Sequence, residues 1–121
     1  MSNINQVEKK DKLEHLFELQ KTLQKRIEKI DKLPAVMPEK IPMQVTALIG
    51  EIGEILEEFQ AWKAWRKNPP DYDREKLLLE VVDAYHFIIN IALYLGFDAD
   101  DIYDSFTKKN KVNHNRQDDN Y

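Results

Sequence analysis

Glu51, Glu54 and Glu58 follow one another at three- and four-residue spacing in a segment whose apolar positions are Val45, Leu48, Ile49, Ile52, Ile55, Leu56 and Phe59. At about 100° per residue these three glutamates fall along one flank of the apolar face of a helix, whereas Glu57 points to the solvent side. Like charges at that spacing repel, so the flank calls for a compensating cation. A second carboxylate pair, Glu80 and Asp83 at i and i+3, interrupts an otherwise apolar run, and Asn90 continues the same stripe. A helix buried on most sides cannot leave two carboxylates unpaired, because an isolated buried charge costs several kcal/mol or takes up a proton. Spacing alone leaves two solutions open. In one, Lys76 or a lysine of another helix pairs with the acids. In the other, Glu51 and Glu54 face Glu80 and Asp83 across a bundle, and the four hold one or more Mg²⁺ ions, with Mn²⁺ as a substitute. Oxygen-only ligands suit these hard cations rather than zinc, and with no cysteine in the chain a thiolate site is excluded.

Three further features carry polar chemistry. Gln20 lies on the apolar stripe of the first periodic segment, in line with Leu13, Leu16, Phe17 and Ile27, where an amide needs specific partners and is suited to reading the edge of a base. His86, on the apolar run, reads first as a hydrogen-bonded structural residue, and Trp62, Trp65 and Phe87 read first as core. The run Lys108, Lys109, Asn110, Lys111, Asn113, His114, Asn115 and Arg116 gathers positive charge in a chain of net charge -4. It is either a solvated helix end or a clamp on phosphates, with Arg116 forked and the lysines as point charges. Acids on one side and bases on the other suggest a polyphosphate between them.

The elements that must position these groups are helical. With 121 residues, 42% hydrophobic and 33% charged, the chain fits one domain, residues 1–121. Prolines 34, 38 and 42, and then 69 and 70, punctuate it. Before the first cluster, Leu13, Leu16, Phe17, Leu23, Ile27 and Ile30 recur at helical spacing. A second helix is expected from about Met43 to Trp65, ending before Asn68-Pro69-Pro70. The third, roughly Asp73 to Leu95, is apolar almost all round, which predicts protein contact on most sides and a homodimer to cover what one small chain cannot. Gly96 is its expected C' residue, and a last helix starts at Asp98 or Asp100 with Ile102, Tyr103 and Phe106 as its apolar positions. Residues 113–121 lack apolar periodicity and read as a flexible phosphate-binding tail. The expected fold is an all-α antiparallel bundle of four to five helices. Acidic balance disfavours binding to nucleic acid. The apolar run 77–95 resembles a membrane span, but Glu80, Asp83, His86 and Asn90 interrupt it, and no signal or lipidation motif opens the chain. A cytoplasmic protein is the expectation.

These residues resemble a known family, the dimeric all-α dUTPases of the all-α NTP pyrophosphatase (MazG-like) superfamily. The superfamily's E-x-x-E and E-x-x-D motifs stand here as Glu51-Ile-Gly-Glu54 and Glu80-Val-Val-Asp83. The dUTPase branch is matched further by Leu19-Gln20, by Trp62-Lys63-Ala64-Trp65, and by Asp83-Ala84-Tyr85-His86-Phe87. Its tail pattern is matched by Lys109, Asn110, Asn113, Arg116, Gln117 and Tyr121. Gln24 stands where the family has Asn, and Asn120 where it has Gly. The resemblance implies hydrolysis of dUTP to dUMP and pyrophosphate by a homodimer, with Mg²⁺ held by Glu51, Glu54, Glu80 and Asp83 and with Glu51 as the base for the attacking water. It implies a substrate site made by Gln20, Trp62, Lys63, His86, Phe87 and Asn110 around base and sugar, and by Lys109, Asn113, Arg116 and Tyr121 around the phosphates. Two alternatives stay open: a related pyrophosphohydrolase acting on dCTP or a modified dNTP, and a non-catalytic helical dimerisation module.

Overall fold

The computed structural model describes residues 11–119, which form four α-helices and no strand among them. Helix α1 spans Lys12–Glu28, α2 Ile41–Glu58, α3 Arg74–Tyr94 and α4 Ala99–Asp118, with short 3-10 turns at Pro38–Lys40 and Gln60–Trp62. The expected all-α bundle is what forms.

Cross-helix contacts give the directions. Gln44 meets Asn90, Glu51 lies by Glu80 and Asp83, and Glu58 pairs with Lys76. Positions on α2 rise as those on α3 fall, so the two run antiparallel. Gln20 instead meets His86 and Asn90, and Gln24 meets Asn90 and Tyr94, so α1 runs parallel to α3. The α2–α3 pair is the most extensive contact in the fold, α1 packs less extensively on α3, and α4 meets α1 less extensively still. A small core of Phe17, Ile89, Ala92, Leu93 and Ala99, with Leu13 and Ile102 packed against it, sits where α1, the C-terminal half of α3 and the start of α4 converge.

Local chemistry explains most helix ends. Asp73 caps α3, its carboxylate accepting from the backbone N–H of Glu75 at 3.0 Å and of Lys76 at 3.3 Å. Asp98 and Asp101 form a reciprocal capping box at the start of α4. Gly96 adopts φ 83° just past α3. That backbone disfavours a side chain, and a Cβ there would also stand 3.0 Å from Val36 Cγ2.

The structure departs from the sequence expectations in two places. Helix α2 stops at Glu58 rather than near Trp65, because the Trp62 indole N–H takes the Leu56 carbonyl at 2.9 Å, an acceptor that a continuing helix would have used. Residues 113–118, expected as a tail, continue α4 as helix; from Tyr103 to residue 119 the whole segment is exposed, so no apolar face was needed to place it. Helix α3 leaves an apolar side uncovered within one chain, the patch for which its circumference predicted a partner. Leu78, Leu79, Val82, Tyr85 and Ile88 are exposed, with Leu79 at 64% and Tyr85 at 57%. By length and composition alone α3 could cross a membrane, although Glu80, Asp83, His86 and Asn90 lie along it and α2 packs against it.

Candidate functional site

The seam that α2 turns toward α3 reads Ile41, Gln44, Leu48, Glu51, Ile55, Glu58, alternating three- and four-residue steps with a polar residue at every second place. Each polar residue has its own task. Glu58 is structural: it accepts the Asp73 backbone N–H at 2.9 Å and pairs with Lys76 at 3.4 Å, tying the end of α2 to the start of α3. The bland solution to the acidic flank therefore applies to Glu58. Among the described residues it does not extend to Glu51, Glu80 and Asp83, which each place a carboxylate oxygen within 4.8 Å of the others. Burial raises the Glu51 carboxyl above its ordinary pKa, and Asp83, Glu80 and Glu54 push it the same way. Glu54 is exposed and stands outside the close group, although its charge is felt there. Asp83 is also exposed and Glu51 and Glu80 are half-buried, so none of the three bears the cost expected from full burial.

Next to the acids lies a network of amides. Asn90 is 3% exposed; its Oδ1 accepts from Gln20 Nε2 at 2.7 Å, and its Nδ2 donates to Gln44 Oε1 at 3.0 Å and Gln24 Oε1 at 3.2 Å. Gln24 Nε2 donates to the Tyr94 hydroxyl at 3.0 Å and to Glu28 at 3.4 Å. Lys40 closes the far end with a 2.8 Å ion pair to Glu28, a contact that raises the lysine pKa. Burial raises the pKa of the Tyr94 hydroxyl, keeping it neutral. At the near end the Gln20 Oε1 bonds to His86 Nδ1. The side of α1 facing α3 is thus Leu13, Phe17, Gln20 and Gln24, while Leu16, Leu19, Leu23 and Ile27 form a second, exposed stripe. Gln20 is buried as expected. Gln24, Gln44, Tyr94, Glu28 and Lys40 were not singled out as partners, although Gln24 one turn beyond Gln20 and Gln44 in step with Leu48 and Ile55 were visible signals.

A cleft of about 370 Å³ joins the two systems: Glu51 and Asp83 line it together with Gln20, Leu23, Gln24, Ile27, His86, Phe87 and Asn90. Acids that repel one another thus share a cavity with amides, an imidazole and an aromatic ring. All the close donors are carboxylate oxygens, a set that fits Mg²⁺ or Mn²⁺.

A family model described as dUTPase matches residues 12–96 and 88–121. The chain belongs to the dUTPase family. It is also 39% identical over 49 residues to the dCTP pyrophosphatase of Enterobacteria phage T4, a match covering 40% of this chain and 29% of that protein. No solved structure matches the chain.

Not every residue of the dUTPase pattern comes to the cleft. Trp62 and Lys63 sit in the turn after α2, where Trp62 meets Trp65 edge to face at 5.7 Å and Lys63 Nζ lies 5.5 Å from the Trp62 ring. Neither lines the cleft. Lys109, Asn110 and Asn113 form, with Phe106, a separate shallow depression of about 70 Å³ on α4, and Arg116 lies further along the same helix. They stand apart because α4 packs on the rest of the chain through Ala99 and Ile102 and then projects away. Tyr121 lies outside the described residues.

Proposed function

We propose that this member of the dUTPase family is a Mg²⁺-dependent dUTP diphosphatase, releasing dUMP and pyrophosphate, that works as a cytoplasmic homodimer on free nucleotide. The observation that carries the reading is the cleft in which Glu51 and Asp83 share walls with Gln20, His86, Phe87 and Asn90. A nucleoside triphosphate has the same two-part chemistry, an anionic chain that needs cations and a flat base that needs an apolar wall with a few polar contacts. Bound among Glu51, Glu80 and Asp83, with Glu54 nearby, Mg²⁺ would neutralise charge on the phosphate oxygens and make water a stronger acid.

The chain's own groups do the rest. Glu51, whose carboxyl pKa is raised by burial and by its acidic neighbours, takes the proton of the attacking water on its carboxylate. Phe87 supplies the apolar wall and the Gln20–His86 pair the polar edge. Lys109, Asn110, Asn113, Arg116 and Tyr121 hold phosphates once α4 is brought to the cleft of an assembled dimer; Trp62 and Lys63 join the base and sugar contacts in the same assembly. Support for the dimer comes from the apolar groove of about 400 Å³ between α1 and α3, lined by Leu16, Leu19, Leu23, Val82 and Tyr85.

The similarity to a dCTP pyrophosphatase favours a second reading in which dCTP is the substrate. Pyrophosphate release from dUTP, dCTP and dTTP, each with Mg²⁺ and with EDTA, separates the readings. The expected result is highest kcat/KM for dUTP and none in EDTA. Preference for dCTP selects the second reading. No Mg²⁺-dependent release from any nucleotide overturns both and leaves a helical dimerisation module.

A further inference from the structure

The amide network has a direction. Glu28 is a carboxylate and accepts only, so the Gln24 amide must turn its Nε2 toward Glu28, which leaves its Oε1 toward Asn90. Asn90 must then present Nδ2 to Gln24 and Gln44, which leaves Oδ1 to accept from Gln20 Nε2. Gln20 in turn can offer only Oε1 to His86. Reversing any one amide sets N–H against N–H or lone pair against lone pair, and reversing all of them sets Gln24 Oε1 against the Glu28 carboxylate. In a buried setting each such mismatch costs about 1–3 kcal/mol. Lys40 fixes the charge at the origin of the chain.

We infer that Glu28, Gln24, Asn90 and Gln44 are positioning residues that hold His86 in the Nδ1–H tautomer, so that its Nε2 meets the ligand as a hydrogen-bond acceptor. Nε2 is the ring's one polar atom left for a ligand, since Nδ1 is committed to Gln20 and His86 is an exposed residue lining the cleft. Gln20 is 3% exposed with both ends of its amide engaged, so it sets the histidine while the histidine meets the base. An acceptor at that point matches a base edge that carries an N–H donor, such as the N3–H of uracil, and opposes the bare N3 lone pair of cytosine in the same pose. The base selectivity rests on the nucleotide-hydrolase reading above; the tautomer does not.

The test is long-range ¹H–¹⁵N correlation on the nucleotide-free protein at a pH where His86 is neutral, with Gln24→Met/Gln44→Met and Gln24→Glu as variants. The wild type is expected to show one tautomer, with Nδ1 protonated. The double Met variant keeps bulk but cuts Asn90 from its directional contacts, so the Nε2–H form should appear and KM for the preferred nucleotide should rise about tenfold, with a smaller change in kcat. Gln24→Glu keeps an acceptor next to Asn90 and should retain Nδ1–H, the reverse of what loss of packing alone predicts. An Nε2–H wild type, or a double variant with an unchanged tautomer, overturns the inference, and the wild-type spectrum decides even where a variant fails to fold. Should no nucleotide be hydrolysed, the enzymatic reading falls while the spectra still decide the tautomer.

Discussion

Glu51 is the residue on which proton and stability meet, and with them the proposed metal. Its folded pKa is raised above the ordinary carboxylate value of 4.5 by burial and then by Asp83, Glu80 and Glu54. A raised carboxyl pKa means that the native state holds its proton more tightly than the unfolded chain does. This contribution to stability is full below the unfolded pKa and is lost as pH rises through the folded one. The metal-free protein should therefore lose stability over a window that opens in the ordinary carboxylate range and closes above the raised Glu51 pKa. Glu51→Gln should flatten that loss in urea titrations across pH, and should also diminish the stabilisation added by Mg²⁺. The same substitution is expected to lower the rate at least about a hundredfold, roughly 2.7 kcal/mol of barrier. Glu57→Gln, exposed on the same helix, should stay within about 0.5 kcal/mol of wild type in stability and near it in rate. Equal rates in the two variants would remove Glu51 from the chemistry.

At the scale of elements, the C-terminal end of α3 is the joint that brings the core, the amide network and α4 together. The Met37 N–H bonds the Tyr94 carbonyl at 2.8 Å, Leu33 is buried, and Gly96 turns the chain into α4. Gly96→Ala should cost about 1–2 kcal/mol in chemical denaturation, chiefly from the positive φ, because exposed Val36 is free to yield at the close contact. Gly96→Ala combined with Val36→Ala should keep most of that loss; full recovery would show that crowding, not the backbone, sets the cost. Helix α4 presents the opposite case. Its residues past Ile102 bury almost nothing, so deleting residues 113–121 should leave the melting temperature within about 2 °C and the helical signal lower only by the helical residues removed. Turnover should fall at least about tenfold if Asn113, Arg116 and Tyr121 hold phosphates. Full turnover in the truncated protein would make this segment a solvated extension.

For the whole molecule, the question is what covers the apolar faces that one chain leaves open. Leu16, Leu19 and Leu23 on α1 lie beside Val82 and Tyr85 on α3, Ile27 is exposed further along α1, and α2 exposes Val45, Ile49, Ile52 and Leu56 as well. A surface this apolar fits the proposed dimer seam. Light scattering at micromolar concentration should give twice the chain mass. Leu19→Glu, at a position 56% exposed in the single chain, should shift the equilibrium to monomer without unfolding the helices. A wild-type monomer would count against the dimer and against the assignment of α4 to phosphates, since that assignment needs the assembly.

The sequence by itself determined the helices and the chemistry they carry. Apolar periodicity placed four helices, with starts near Asp73 and at Asp98 or Asp100 and an end at Gly96, and the spacing of Glu51, Glu54, Glu80 and Asp83 paired four carboxylates, of which all but Glu54 form the close group. These are local matters, set by propensity, capping and a 100° step per residue. Periodicity says which residues share a face but not what the face meets. Only the tertiary structure decided that Glu58 ties two helices together while Glu51 faces Asp83, because that depends on the antiparallel register of α2 and α3. Only the tertiary structure decided, too, that Gln24 turns inward beside Gln20 while Leu16 and Ile27, read on the same stripe as Gln20, stay exposed. The physical reason is satisfaction: Asn90 on α3 offers one acceptor and two donors in a buried place, and three amides from two other helices complete it, a balance that no single helix contains.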